Sequence, residues 1–113
     1  MSTDYRLVLC TCPDAATAEH LATILVSSKL AACVNIVPGL RSVYSWEGRI
    51  ESTDECLLLI KTHIDRWPAL QTTLVSHHPY EVPELITLPI EAGYAPYLAW
   101  VLASTADATP SPV

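Results

Sequence analysis

The sequence predicts an α+β protein in which helices cover one face of an antiparallel sheet. Apolar, β-branched segments and two segments of helical periodicity follow one another in the order β-α-β-β-α-β. At 113 residues the chain is long enough for one domain, and folding at this size buries only about two thirds of the unfolded surface. Half of the residues are hydrophobic and 16% are charged. A small monomer cannot bury that much apolar surface, so we expect self-association.

The first strand is predicted at residues 5–12, and each of the two main helices begins after an aspartate. Asp14 is expected to cap a helix that ends near Lys29, with His20 solvated near its polar face. Asp65 is expected to cap the second helix. Pro68 is tolerated there because it falls in the first turn, where no internal hydrogen bond is lost.

Residues 33–62 are predicted to form one long hairpin. Gly48 supplies the positive φ that a tight turn at Glu47-Gly48 needs, and Pro38-Gly39 are expected to interrupt pairing as a bulge or bend. Both arms are far longer than an ordinary strand of about five or six residues. The far end should therefore project beyond the domain, where its open edges need a partner.

A strand at residues 84–90 and a C-terminal helix from about residue 95 to 104 complete the predicted fold. The order βαββαβ is that of the ferredoxin-like fold, with an antiparallel four-stranded sheet and both main helices on one face. We assign residues 1–104 to a single domain and residues 105–113 to a flexible C-terminal tail, which is rich in small residues and proline.

Successive side chains of a strand point to opposite faces of the sheet, which divides the first strand into two sets. The first set is Val8, Cys10 and Cys12, and the second set is Leu7 and Leu9. We expect the first set to line the face without helices. That face is too apolar to remain in contact with water, so we expect it to form the contact between subunits.

Composition argues against several partners and compartments. The net charge is −6, and the six cationic residues are scattered singly, so nucleic acid is not an expected partner. The uncharged stretch at residues 92–106 contains Gly93 and Pro96 and is too short to span a membrane. No secretion leader is visible, and four cysteines without a C-x-x-C pair are expected to be buried and reduced. We therefore expect a cytoplasmic protein.

The segment at residues 76–84 carries two adjacent imidazoles and two carboxylates between stiffening prolines. His77 and His78 can simply end the second helix. Their ring N–H groups can donate to the last free carbonyl groups there, and the helix dipole favours positive charge at this end. They can also belong to a metal or acid/base site.

Four blocks of sequence resemble a known family, in family order and spacing. They are LAACVN at residues 30–35 with Pro38-Gly39, YSWEG at 44–48 with Ile50-Glu51, LIKT at 59–62, and HHPYEVPE at 77–84. Through these blocks the chain resembles the CutA family of divalent-ion tolerance proteins. The resemblance implies a ferredoxin-like subunit and a homotrimer related in architecture to the PII signalling proteins, in which long hairpins reach across to neighbouring subunits.

The resemblance also implies binding of copper or another divalent ion at Cys10, His77 and His78. A thiolate with two imidazoles suits copper or zinc and rejects magnesium and calcium. Adjacent side chains diverge, however, so a looser site made of Cys10 and one histidine stays open beside the three-ligand site. Adventitious binding stays open as well. No organic cofactor is expected.

A PII-like small-ligand sensor or assembly scaffold, with incidental metal binding, would use a cleft between subunits lined by Trp46, Lys61, Tyr80 and Glu81. The same residues can also serve as ordinary interface packing and a surface ion pair.

An enzyme would use Cys10 as nucleophile, His77 as base and Glu81 to orient the imidazole. Burial in an apolar strand raises the pKa of a thiol, so we expect no catalysis.

Overall fold

The structure is a computed structural model and describes residues 3–106. Four strands, three α-helices and one short 3-10 helix follow one another along these residues: β1 (Tyr5–Cys12), α1 (Ala15–Ser27), β2 (Cys33–Trp46), β3 (Arg49–His63), the 3-10 helix (Ile64–Arg66), α2 (Trp67–His77), β4 (Leu85–Pro89) and α3 (Ala95–Thr105). The strands form one antiparallel sheet in the order β2-β3-β1-β4. The predicted α+β class and the βαββαβ order are confirmed.

The β2-β3 hairpin has the two irregularities that the sequence predicted. Glu47 and Gly48 both have positive φ, +50° and +77°, as a two-residue type I′ turn requires. The register shifts between Val37 and Leu40, where Gly39 has φ +76°. This bulge is the predicted interruption at Pro38-Gly39.

The hairpin makes the molecule elongated. Seven residue pairs, from Leu40 with Glu55 to Trp46 with Arg49, lie beyond the bulge. At about 3.4 Å per residue they form an arm of about 24 Å. The radius of gyration is 15.3 Å and the longest dimension is 53 Å, whereas a compact chain of this length has a radius of about 13 Å. The arm therefore projects beyond the core, as predicted.

The predicted assignment of the two sheet faces is wrong. Val8, Cys10 and Cys12 are fully buried, and they pack in the core with residues of α1 and α2 such as Leu21 and Leu74. Both sets of β1 side chains are apolar, so alternation separated the sets but did not say which one the helices cover. The small Cys and Val side chains leave room for close helix packing, and the longer leucines occupy the other face.

The face opposite α1 and α2 carries Leu7 and Leu9, which are partly buried. Their pairing partners on β4, Leu88 and Ile86, are 43% and 48% exposed. The third helix, α3, contacts β3 and buries Val101 outside the main core. An apolar surface thus remains on this face, although it is made of different residues from those predicted.

The C-terminal helix extends one residue beyond its predicted end. The Thr105 side chain is buried, and its hydroxyl donates to the Val101 carbonyl at 2.8 Å. Most of the predicted tail, residues 107–113, lies outside the described residues. Between residues 3 and 106, no helix combines the length and apolar character needed to cross a membrane.

Candidate functional site

The three predicted metal ligands are divided between two places. Cys10 lies on β1, His77 is the last residue of α2, and His78 follows it with extended backbone, as expected before Pro79. The Cys10 thiol and the His78 Nε2 atom both contact the Thr11 carbonyl oxygen, at 3.5 Å and 2.8 Å. His77 is on the exposed surface. The extended backbone at His78 thus directs the two adjacent imidazoles to different surroundings.

His78 uses both of its ring nitrogens within the fold. Its Nδ1 atom accepts a hydrogen bond from the Tyr80 backbone N–H at 3.1 Å, so Nε2 carries the proton and donates to the Thr11 carbonyl. The side chain is buried, and its ring stacks at a tilt 4.8 Å from that of Tyr80. As folded, this imidazole has no lone pair available for a metal.

Cys10 carries a protonated thiol at neutral pH. Burial raises its pKa to about 12, and the nearby Cys12, Glu84 and Glu55 add to this because negative charge disfavours a thiolate. The pKa of Cys12 is raised to about 11, again mainly by burial. A buried, protonated thiol is a poor nucleophile and binds a metal only after losing its proton.

The His77 ring is held through one of its two nitrogen atoms. Its Nδ1 atom lies 2.9 Å from the Thr73 carbonyl oxygen and 3.1 Å from the Ser76 hydroxyl. The Ser76 hydroxyl already donates its hydrogen to the same carbonyl, at 2.8 Å. The His77 Nδ1 atom must therefore be the donor, which leaves the lone pair of Nε2 free.

His77 also has a neighbour that the sequence did not indicate. The ring of His20, from α1, lies 6.3 Å from the ring of His77 between centroids. Within residues 3–106, however, no group of three or more His, Cys, Asp or Glu side chains is arranged to hold a metal.

A cleft of about 500 Å³ lies between the hairpin arm and the loop at residues 78–84. It is lined by aromatic, acidic and smaller side chains: Thr11, Tyr44, Trp46, Glu55, Tyr80, Glu81, Val82 and Glu84. Three of the four residues predicted for a cleft, Trp46, Tyr80 and Glu81, are brought together here. Lys61 is not; its ammonium group instead bonds the side chain of Asn35 and the Leu59 carbonyl.

A carboxylate and a phenol fix one wall of this cleft. Glu55 is only 9% exposed, and the Tyr80 hydroxyl donates to its Oε2 atom at 2.9 Å. Burial is the main reason that the pKa of Tyr80 is raised to about 12. The hydrogen bond to Glu55 and the negative charge of Glu55 also raise this pKa, by smaller amounts. The sequence did not indicate Glu55 as a site residue, because a single polar residue in a predicted strand is ordinarily exposed to solvent.

The chain matches known proteins over most of its length. The family model of the CutA1 divalent ion tolerance protein matches residues 6–104. The divalent-cation tolerance protein CutA of Yersinia pestis (strain Pestoides F) is 48% identical over 98 residues, which is 87% of this chain and 82% of that protein.

Solved structures agree with this match. CutA1 from Oryza sativa is 43% identical with a TM-score of 0.90, covering 95% of this chain and 98% of that one. A protein from Archaeoglobus fulgidus, described as a periplasmic divalent cation tolerance protein CutA, is 33% identical with a TM-score of 0.87, covering 89% and 98%.

Proposed function

Because this chain belongs to the CutA1 family of divalent ion tolerance proteins, we propose that it binds a transition-metal ion, copper or zinc, in the cell's response to such ions. The observation that carries the proposal is the free Nε2 lone pair of the exposed His77, whose opposite ring nitrogen is held by the Thr73 carbonyl. Imidazole nitrogen suits copper and zinc, whereas magnesium and calcium prefer oxygen.

Cys10 and His78 provide a second place where such an ion can bind. Both side chains contact one carbonyl oxygen, that of Thr11, so the thiol and the imidazole lie close together. Binding there requires His78 to give up a hydrogen bond and Cys10 to lose a proton. Both steps cost free energy, so an ion at this pair is held loosely and is released readily.

The experiment is a calorimetric titration of the tag-free protein with copper(II), zinc(II) and magnesium(II) chlorides. We expect binding of copper and zinc, and none of magnesium. Cys10→Ser, and His77→Ala combined with His78→Ala, should each weaken binding. Unchanged stoichiometry and affinity in both variants would refute this choice of ligands, and absence of copper and zinc binding would refute the proposed function.

We also propose that the protein acts as a homotrimer. The apolar face around Ile86 and Leu88 and the arm beyond the bulge both expose surface that a neighbouring subunit can cover. Three chains of 12.3 kDa give 36.9 kDa. Light scattering should return that mass, and a stable folded monomer at micromolar concentration would contradict the proposal.

The proposed role is non-catalytic and cytoplasmic. The protonated Cys10 thiol argues against nucleophilic catalysis, because the thiolate is the reactive form. All four cysteines are free, which suits a reducing compartment. The Archaeoglobus fulgidus relative carries a periplasmic description. Fractionation of cells, with detection by an antibody to the present protein, decides which compartment contains it.

The cleft favours a second candidate function, that of a small-ligand sensor with incidental metal binding. Its volume of about 500 Å³ is that of a small-molecule site. Trp46 and Tyr80 offer flat apolar surface, and Glu55 offers a fixed acceptor. A metabolite retained by the purified protein and lost in Trp46→Ala would support this function, and metal binding that persists in that variant would show that the two sites are separate.

A further inference from the structure

We propose that His20 and His77 together form a two-imidazole site for copper(II) or zinc(II), in which one ion bridges α1 and α2. This inference rests on the proposed metal-binding function and adds His20 to its ligands. Both side chains are exposed, and they extend from two helices that contact each other.

The distance between the two rings suits a bridging ion. A copper or zinc ion lies about 2.0–2.1 Å from an imidazole nitrogen, and so about 3.2 Å from the centroid of that ring. Two rings on one ion are then separated by about 5.2 Å at a tetrahedral angle and about 6.4 Å when they are opposite each other. The observed separation is 6.3 Å, with an angle of 65° between the ring planes. This separation lies within the range for one shared ion, and the exposed His20 side chain can rotate towards the His77 ring.

The His77 ring is already oriented for metal binding. Imidazoles that bind metals commonly donate their other N–H group to a backbone carbonyl, which fixes the tautomer and the direction of the lone pair. His77 has this arrangement, since its Nδ1 atom donates to the Thr73 carbonyl at 2.9 Å. The ring is thus held with its Nε2 lone pair free before any ion arrives, which lowers the entropy lost on binding.

The chemistry of the two imidazoles decides which ions they bind. Two neutral nitrogen donors with water in the remaining positions favour copper over zinc and zinc over magnesium. An ion can bind to His20 and His77 without the loss of a buried hydrogen bond or of a thiol proton. Binding to Cys10 and His78 requires both losses. We therefore expect the exposed pair to be the site that fills first at neutral pH.

The test compares the affinity of matched variants for copper(II) and zinc(II) chlorides by calorimetry. His20→Gln and His77→Gln each remove one imidazole from an exposed position, and His63→Gln removes an imidazole from the end of β3 as a control. Each of the first two changes removes a ligand, so it should weaken the tightest site by at least the roughly tenfold that loss of a hydrogen-bond partner of a metal ligand costs. The control should not. The His20→Gln, His77→Gln double variant should lose this site altogether.

Electron paramagnetic resonance of the copper(II) form provides a second readout that a change in stability does not affect. Two nitrogen ligands are expected in the native protein at one equivalent of copper, and one in His20→Gln. If His20→Gln keeps native affinity and spectrum while His77→Gln loses both, His77 acts without His20 and this inference is wrong, although the proposed function stands. If the native protein binds neither copper nor zinc, the proposed function itself fails.

Discussion

Burial of the Cys10 thiol predicts that the protein loses stability as the pH rises above 9. The pKa of this thiol rises from 9.0 to about 12 on folding, so between these values the unfolded chain has released a proton that the native state retains. Stability then falls with increasing pH, by about 1.36 kcal/mol per pH unit for one such group. The contribution is fully present below pH 9, and about 2.7 kcal/mol of it is lost by pH 11. That is a large part of a total stability of about 5–15 kcal/mol.

The perturbation that isolates this effect is Cys10→Ala. The variant loses packing at every pH but has no thiol at this position to titrate. Cys12 and Tyr80, whose pKa values are also raised, titrate in both proteins and cancel in the comparison. Urea unfolding at pH 8, 9, 10 and 11 should therefore show the native protein losing about 2.6 kcal/mol more stability than Cys10→Ala between pH 8 and 11.

Alkylation provides an independent check on the same reasoning. A thiol with a pKa of about 12 should react with iodoacetamide at pH 8 far more slowly in the native protein than in urea. Parallel stability curves for the two proteins, together with rapid alkylation of native Cys10, would show that the thiol is neither buried nor protonated as described. Cys10 would then be available to a metal without the cost assigned to it above.

Two further predictions concern the cleft and the role of metal. Tyr80→Phe removes the hydrogen bond to the buried Glu55 carboxylate and should cost about 1.5–3 kcal/mol in urea unfolding, whereas the same change combined with Glu55→Gln should cost less than the two separate losses added together. Additive losses would mean that the two groups do not interact. Removal of metal with a strong chelator should leave the 36.9 kDa mass unchanged and shift the melting temperature only slightly, because neither proposed site has the four protein ligands of a structural zinc site. Dissociation into unfolded chains on chelation would show that a metal ion holds the fold together.

Local turn chemistry made the hairpin predictable from the sequence. Gly48 and Gly39 each occupy a position with positive φ, and a glycine between two apolar runs indicates such a position directly. The order of the strands and helices followed equally well, because each segment has its own periodicity. Asp14 caps α1 as predicted, whereas the prediction that Asp65 caps the second helix is wrong, since Asp65 lies within the 3-10 helix and α2 has no side-chain cap.

Contacts between segments were less predictable. Which face of β1 the helices cover was assigned wrongly, because both faces are apolar. The proximity of His20 to His77 depends on how α1 and α2 are rotated against each other, and helical spacing within one segment does not contain that information. Trp46 and Tyr80 were predicted to line a cleft between subunits, and they line a cleft within one chain, whose buried Glu55 the sequence did not indicate.

The sheet order β2-β3-β1-β4 also determines when the protein can fold during synthesis. β1 precedes the other three strands of the sheet in the chain, yet it is an inner strand whose neighbours, β3 and β4, are made after it. Cys10 pairs with Leu85 across most of the chain, and the Ile90 N–H donates to the Tyr5 carbonyl. Until residues 85–89 are made, one edge of β1 is open to pairing with other chains. Folding of the sheet is thus completed only after residues 85–89 have been made, and pairings so distant in sequence make it slower than that of a helical bundle of equal length.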